Sequence, residues 1–233
     1  MHNKQTSGRQ HKQETQSAGL VNFGDLRRLE PLTRSFGYDR GQPIDRYYIE
    51  TFLSRHADDI SGHVVEIGDD RYTRKFGGGR VTRSEVLDQA HPDSTPTIIA
   101  DLASAGHVPS DSFDCIIITQ TMQFIYDVQA AVSTLHRILN PGGVLLGSLP
   151  SLSPICRYDM DRWGDYWRFT SAAVQRLFGD CFGLNNVQVE AHGNVLVATA
   201  FLYGMAAEDL TVEELDFKDR DYEAIITVRA VKA

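Results

Sequence analysis

Apolar residues along the chain change their spacing near residue 60. From Leu20 onward they recur at intervals, and Pro43, at a first-turn position, leads into IDRYYIETFLSRH, where Ile44, Tyr47, Tyr48, Phe52 and Leu53 share one helical face. That spacing predicts a helix ahead of the first strand. Short β-rich runs then take over: HVVEIG at 63–68, RVT at 80–82, TIIA at 97–100, CIIIT at 115–119 and VLLGSL at 144–149. The run 115–118 is apolar at every position, as expected of a central strand in a parallel sheet covered on both faces. Between the last two runs Val128, Val132, Leu135, Ile138 and Leu139 recur at helical spacing, and the Asn-Pro-Gly-Gly of 140–143 supplies a stop and a turn, which makes a βαβ unit. Beyond Gly183 the pattern predicts a strand at about 186–191, an apolar helix capped by Asn194 and a closing strand near 223–231. Residues 1–18 carry almost no apolar side chain and predict a disordered tail. The expected organisation is a tail over 1–19 and a single domain over 20–233.

A chain of 233 residues with 42% hydrophobic residues can bury one large core. Its formal net charge of −8, with no dense Lys/Arg stripe, argues against a nucleic-acid partner. Cys115, Cys156 and Cys181 are widely spaced, without a CxxC pair, and read as reduced, buried packing in a cytoplasmic protein. The longest apolar run, about 195–207, is too short to cross a bilayer, so no membrane association is expected.

In open parallel sheets a ligand sits beyond the carboxyl ends of the strands. Those ends are polar here: Glu66, Gly68 and Asp69 after the first run, Glu85 after the second, Asp101 and Leu102 after the third, Thr119 and Gln120 after the fourth. Carboxylates at three successive strand ends suit a nucleoside, one for ribose hydroxyls, one for an exocyclic amine and one near an ammonium. For Glu66 and Asp69 a capping or surface role is the structural alternative.

With VVEIG at 64–68, ADL at 100–102, HVPSDSFDCIIITQTMQFIYD at 107–127 and LHRILNPGGVLL at 135–146, the chain resembles the class I S-adenosylmethionine-dependent methyltransferases over roughly residues 60–180. The resemblance implies an α/β, Rossmann-like fold with a central, mostly parallel seven-stranded sheet and helices on both faces. It also implies S-adenosyl-L-methionine as cofactor and methyl transfer as activity. Glu66 and Gly68 would line its methionine and ribose part, Glu85 would receive the ribose hydroxyls, Asp101 and Leu102 would hold the adenine, and Thr119 and Gln120 would sit beside the methionine moiety. The family's first loop usually reads EIGxGxG, whereas this chain reads EIGDDRYTRKFGGG over 66–79, with Asp70 in place of the second glycine. A side chain there must turn away from the ligand or touch it, so the loop is expected to take another path, with a short helix from about 71 to 76.

The segment PSLSPICRYDMDRWGDYWRFT, residues 150–170, holds both tryptophans of the chain among alternating acids and arginines. Rings cover the C–H faces of a polyhydroxylated ligand while charged groups bond its hydroxyls, so Tyr158, Trp163, Tyr166, Trp167 and Arg168 are candidate contacts to a polar small-molecule acceptor. The alternative is that Trp163 and Trp167, four apart, pack a lid helix. FGYDRG, PIDRYYIE and RYDMDRWGDYWRFT also resemble a subgroup of bacterial methyltransferases that accompany glycosyltransferases, which implies O-methylation of a sugar or glycosylated metabolite and a functional link to glycosyltransferases. Tyr38, Arg40 and Arg46 are candidates for the cofactor carboxylate or for structural ion pairs. If the acceptor is a hydroxyl, Asp159, Asp161, Asp165 or His192 would take its proton. The histidines at 56, 63, 91, 107 and 136 show no metal spacing, so no metal is expected. A methyltransferase-like domain without catalysis, serving as a binding partner, is the alternative function; a dehydrogenase is disfavoured because no GxGxxG follows the first strand.

Overall fold

The computed structural model describes residues 22–89 and 95–233. The tail expected over 1–19, and His91, lie outside the described residues. Contacts divide the chain into Met1–Glu30 and Pro31–Ala233. The first unit shows a single 3-10 turn, Gly24–Leu26, among its described residues. The second carries the sheet.

Among the described residues seven strands form one sheet in the order β3-β2-β1-β4-β5-β7-β6. They are β1 Gly62–Ile67, β2 Val81–Asp88, β3 Ile98–Ile99, β4 Phe113–Thr119, β5 Leu139–Pro150, β6 Val187–His192 and β7 Ile225–Val231. β7 runs antiparallel to both β5 and β6, and the remaining pairs are parallel. The helices are α1 Ile44–Arg55, α2 Val128–Ile138, α3 Arg157–Met160, α4 Ser171–Phe182, α5 Val195–Leu202 and α6 Val212–Asp216. This is the expected mostly parallel, Rossmann-like sheet with helices on both faces.

β4 shows why. Its side chains alternate across the sheet, so Cys115 and Ile117 join Ile49, Phe52 and Leu53 of α1, while Ile116 and Ile118 join Ala131, Val132 and Leu135 of α2 and Val174 and Phe178 of α4. Both faces are covered, and an all-apolar run is the sequence that such a position demands. Strand order steps from β1 outward to β2 and β3, then returns to β4 on the other side of β1. The β1/β4 junction is therefore the point where a cleft opens at the carboxyl edge.

Two strand boundaries differ from the sequence expectation. β2 extends to Asp88 rather than ending at the short run 80–82, because Val86 and Leu87 pair with Glu66 and Ile67. β5 begins at Leu139, the last position expected of the helix, and runs through the expected turn; Leu139 pairs with Phe113, and the register shifts before Val144 meets Cys115. Gly142, at φ +79°, lies in that irregular stretch. Of the cysteines, Cys115 is buried as expected and Cys156 and Cys181 are half-buried.

The helix ends follow their caps. Thr170 accepts from the Ala173 amide at 3.2 Å and opens α4, and Asn194 accepts from the Val197 amide at 3.0 Å and opens α5. The Asn194 side chain also donates to the carbonyls of Glu214 and Phe217, at 2.7 and 2.8 Å, and is buried. Asn194→Ala removes the cap and strands two carbonyls. Chemical denaturation should show a loss of about 2 to 4 kcal/mol, beyond the roughly 1 kcal/mol of an ordinary cap.

Candidate active site

Two clefts lie against the carboxyl ends of β1, β2 and β4, and both are lined by Phe124. The first, about 510 Å³ with the solvent at its open mouth included, is largely apolar: Ile67, Leu87, Ala100, Leu102, Phe124, Ile125 and Trp163 form walls, with Asp88, Gln89 and Thr121 as the polar contribution. The second, about 630 Å³, is polar and charged, with Tyr38, Asp45, Arg46, Gln120, Gln123, Asp159, Asp165 and Arg168 beside Phe36 and Phe201.

Glu66 does not face either cleft. Its carboxylate accepts from the Tyr72 amide at 3.1 Å, the Thr73 amide at 2.7 Å and the Thr73 hydroxyl at 2.8 Å. It thereby caps the turn after the first loop, which winds helically from Arg71 and continues as a π-helical stretch, Thr73–Gly77. The short helix expected there is present, and the capping alternative describes Glu66. Burial pushes its carboxyl up to about 7, against the three hydrogen bonds that favour the ion. Asp69 and Asp70 turn outward and pair with Arg71 at 3.2 Å and Arg74 at 2.7 Å, so the side chain standing in place of the second glycine leaves the backbone side open. Gly68, at φ +92°, has no heavy atom within 4 Å of the place a β-carbon would occupy. The peptide at this point is approachable.

Glu85 needs a correction. It sits inside β2, paired with Val65, and its carboxylate is held by His63 at 3.2 Å, by Arg83 and by the Thr97 hydroxyl at 3.1 Å. The strand ends three residues later at Asp88, which lines the apolar cleft. Asp101 is exposed and its carboxylate accepts from the Ala103 amide at 2.9 Å, so it stabilises its own turn, whereas Leu102 is buried on the cleft wall. Gln120 lines the polar cleft at φ +49°, a left-handed conformation that a residue with a β-carbon adopts at a cost, held by its amide donating to the Ser148 carbonyl at 3.0 Å. Thr119, half-buried, pairs with Ser148 at the end of β4.

The segment after β5 folds onto the loop after β4. Tyr166 donates its amide to the Gln123 carbonyl at 2.8 Å, and the Trp167 indole donates to the Ile125 and Tyr126 carbonyls at 3.1 and 3.3 Å. Trp163 donates its indole N–H to Asp159 at 3.3 Å and lines the apolar cleft, not the polar one. Trp163 and Trp167 do not share a lid helix, since α3 ends at Met160. Arg168 grips Asp165 with two contacts, at 2.5 and 2.9 Å, and donates to the Ser153 and Pro154 carbonyls, tying the segment to the strand it leaves. Tyr158 is exposed, its ring covered by the Arg162 guanidinium 3.5 Å from the centroid.

Two proton-acceptor candidates fall outside the clefts. His192 packs in the core, stacked on Tyr48 with ring centroids 5.3 Å apart and bonded to the Thr227 hydroxyl at 3.0 Å; burial lowers its imidazole to about 4. Asp161 is exposed, 3.7 Å from Arg157. Asp159 and Asp165 remain on the polar cleft. Of the leading residues, Arg40 is a structural ion pair with Asp209 at 2.7 Å, while Arg46 lines the polar cleft and donates to the Tyr38 and Tyr72 hydroxyls at 3.1 and 2.9 Å. Sequence reading missed Asp88, Gln123, Phe124 and Ile125. The apolar pair Val86-Leu87 just before Asp88 was the available signal for the true strand end.

The residues of the apolar cleft fit an adenosyl group: aliphatic and aromatic walls for a flat base, a carboxylate at a strand end for a vicinal diol, and an open glycine peptide nearby. Residues 59–147 match the family described as methyltransferase domain. Among solved structures, an S-adenosylmethionine-dependent methyltransferase from Mesorhizobium loti shares 20% identity and a TM-score of 0.51, with 81% of this chain and 98% of that one covered. The N-methyltransferase NodS from Bradyrhizobium japonicum WM9, in complex with S-adenosyl-L-homocysteine, shares 14% and 0.51, with 87% and 94% covered. A SAM-dependent methyltransferase from Archaeoglobus fulgidus shares 11% and 0.52, with 80% and 94% covered. At these identities the structures share the fold. No protein with a curated description matches the sequence. No helix among the described residues is long and apolar enough to cross a membrane. The match over residues 59–147 is to a methyltransferase domain, the enzyme class that the sequence resemblance implies.

The Glu66 carboxyl generates a pH dependence. With its folded value near 7 and its ordinary value near 4.5, the folded state holds the proton more tightly, so this group's contribution to stability falls as pH rises from about 4.5 to 7. Glu66→Gln removes that slope. Denaturation of both proteins between pH 5 and 8 should show the variant gaining on the wild type as pH rises, by up to about 1.4 kcal/mol per unit within the window. A pH-independent difference would mean that Glu66 is ionised throughout.

Proposed function

We propose that this chain is an S-adenosyl-L-methionine-dependent methyltransferase acting on a polar small molecule bound in the charged cleft, with O-methylation of a sugar or glycosylated metabolite as the reaction and a glycosyltransferase as its functional partner. One observation carries the reading: an apolar cleft and a charged cleft, both lined by Phe124, sit at the carboxyl edge of the sheet. The first suits a nucleoside. The second, with tyrosine and phenylalanine faces among acids and arginines, suits a ligand rich in hydroxyls.

In this reading Asp88 receives the ribose hydroxyls in the role first expected of Glu85, and Leu102, Ile125 and Trp163 cover the adenine. The cofactor supplies a methyl group already activated on a sulfonium. The chain therefore aligns the acceptor and excludes water, and alignment alone can be worth roughly 7 to 11 kcal/mol. The segment 163–168 does both: its bonds to the loop 123–126 and to Ser153 and Pro154 hold one wall of each cleft in place. Asp159, on the polar cleft and oriented by the Trp163 indole, is the carboxylate available to take the proton of an acceptor hydroxyl. Asp165 is committed to Arg168.

Calorimetric titration with S-adenosylhomocysteine tests the cofactor half. Asp88→Ala should weaken binding tenfold or more, about 1.4 kcal/mol or above, while Glu85→Gln should leave it within about threefold. The reverse order would return the ribose to Glu85. Screening glycosides, free sugars and phenols with labelled cofactor tests the acceptor. Asp159→Asn should lower transfer to the best acceptor at least about tenfold with S-adenosylhomocysteine affinity intact, and label found only on nitrogen or carbon would refute O-methylation.

A further inference from the structure

Two side-chain oxygens of residues on the polar cleft are buried without a hydrogen-bond partner. Asp45, the second residue of α1, lies on the face that also buries Tyr48, Ile49 and Phe52; it is 8% exposed, and its Oδ1 has no hydrogen-bond partner. Gln123, 6% exposed, donates its amide nitrogen to the Gln120 carbonyl at 2.9 Å. That bond fixes the orientation of the amide, because only the NH₂ end can face a carbonyl, and it leaves Oε1 unpartnered. Both residues line the same cavity. Buried acceptors without donors are a standing cost that native structures rarely carry without a reason.

The missing group is a donor, and its charge can be read from the surroundings. The two guanidiniums on the cavity point to other partners: Arg46 donates to the Tyr38 and Tyr72 hydroxyls, and Arg168 grips Asp165. Burial holds the Asp45 carboxyl above the ordinary carboxylate range, against the favourable influence of Arg46. A cation bonded to Oδ1 would reverse that penalty, which a neutral hydroxyl does less well. An ammonium also brings three N–H donors, enough for both acceptors, whereas a hydroxyl brings one.

We infer that Asp45 and Gln123 form a binding site for a primary ammonium group. Such a group can come from the amino-acid end of the cofactor or from an amine on the acceptor. The first source rests on the cofactor reading above; the second does not.

The test uses the full chain and two adenosyl thioethers. S-adenosylhomocysteine carries the α-ammonium, and 5′-methylthioadenosine lacks the whole amino-acid end. Asp45→Asn keeps the shape of the side chain and should lower affinity for S-adenosylhomocysteine tenfold or more while leaving 5′-methylthioadenosine within about twofold, with Gln123→Met giving a smaller loss in the same direction as a second variant. That result assigns the site to the cofactor's ammonium. If Asp45→Asn changes neither affinity, the acceptor arm decides. Glucosamine against glucose, and ethanolamine against ethylene glycol, are titrated into wild type and variant with S-adenosylhomocysteine present, and an amine-selective rise in melting temperature that Asp45→Asn abolishes assigns the site to the acceptor. Indifference to Asp45→Asn in both arms overturns the inference. Failure of the wild type to bind S-adenosylhomocysteine would defeat the cofactor reading alone, since the amine arm run without it still decides the ammonium site.

Discussion

Burial of β4 on both faces fixes the rest of the arrangement. A strand whose successive side chains serve α1 on one side and α2 with α4 on the other cannot slip by one residue without exchanging its two cores, so its register against β1 and β5 is set by packing. That register aligns Glu66 with Ile117 and Thr119 with Ser148, and with β1 aligning Ile67 to Leu87 of β2 it brings the loops after β1, β2 and β4 to one edge. The return of the chain from β3 across to β4 opens the edge beside Phe124. Both clefts follow from this geometry.

The loop after β1 shows how local chemistry adapts to that edge. A loop without its second glycine would crowd an incoming ligand if its side chains pointed inward. Here Asp69 and Asp70 are drawn outward by Arg71 and Arg74, and Glu66 folds back to cap the turn that follows. The approachable peptide is kept at Gly68. The cost is a buried carboxylate with no cation beside it, satisfied by three N–H and O–H donors and shifted upward by burial. On the opposite side the segment 163–168 is fastened by main-chain carbonyls rather than by apolar contact alone, which suits a wall that must be placed accurately yet border solvent.

The sheet, the helix ahead of it and the capped helices after it were legible because their periodicity is strong. The run 115–118, apolar at every position, pointed to a central strand covered on both faces, and Asn194 is a side chain that a cap requires. The site was less legible, for identifiable reasons. RVT at 80–82 looked like a whole strand because Arg83 and Ser84 face solvent at the sheet's outer side, and that shifted the expected strand end from Asp88 to Glu85. Asp101 stood at a strand end as expected, but an acid two residues before an amide closes its own turn as readily as it holds a ligand. His192 ended its strand too, yet two strands beyond β5, where α1 covers it. Asp45 carried a signal that went unread: an acid on the apolar face of an amphipathic helix, one turn from Tyr48 and Ile49. Tertiary placement decided each of these cases, and spacing along the chain does not contain it.

A crystal structure of the protein with S-adenosylhomocysteine tests the central claim, that the strand-end cleft is a nucleoside site built from the true end of β2. The account predicts the ribose hydroxyls on the Asp88 carboxylate, the adenine between Leu102 and Ile125, and Glu66 still bonded to the Tyr72 and Thr73 amides. Ribose hydroxyls on Glu85, or Glu66 released from its cap to meet the ligand, would contradict it.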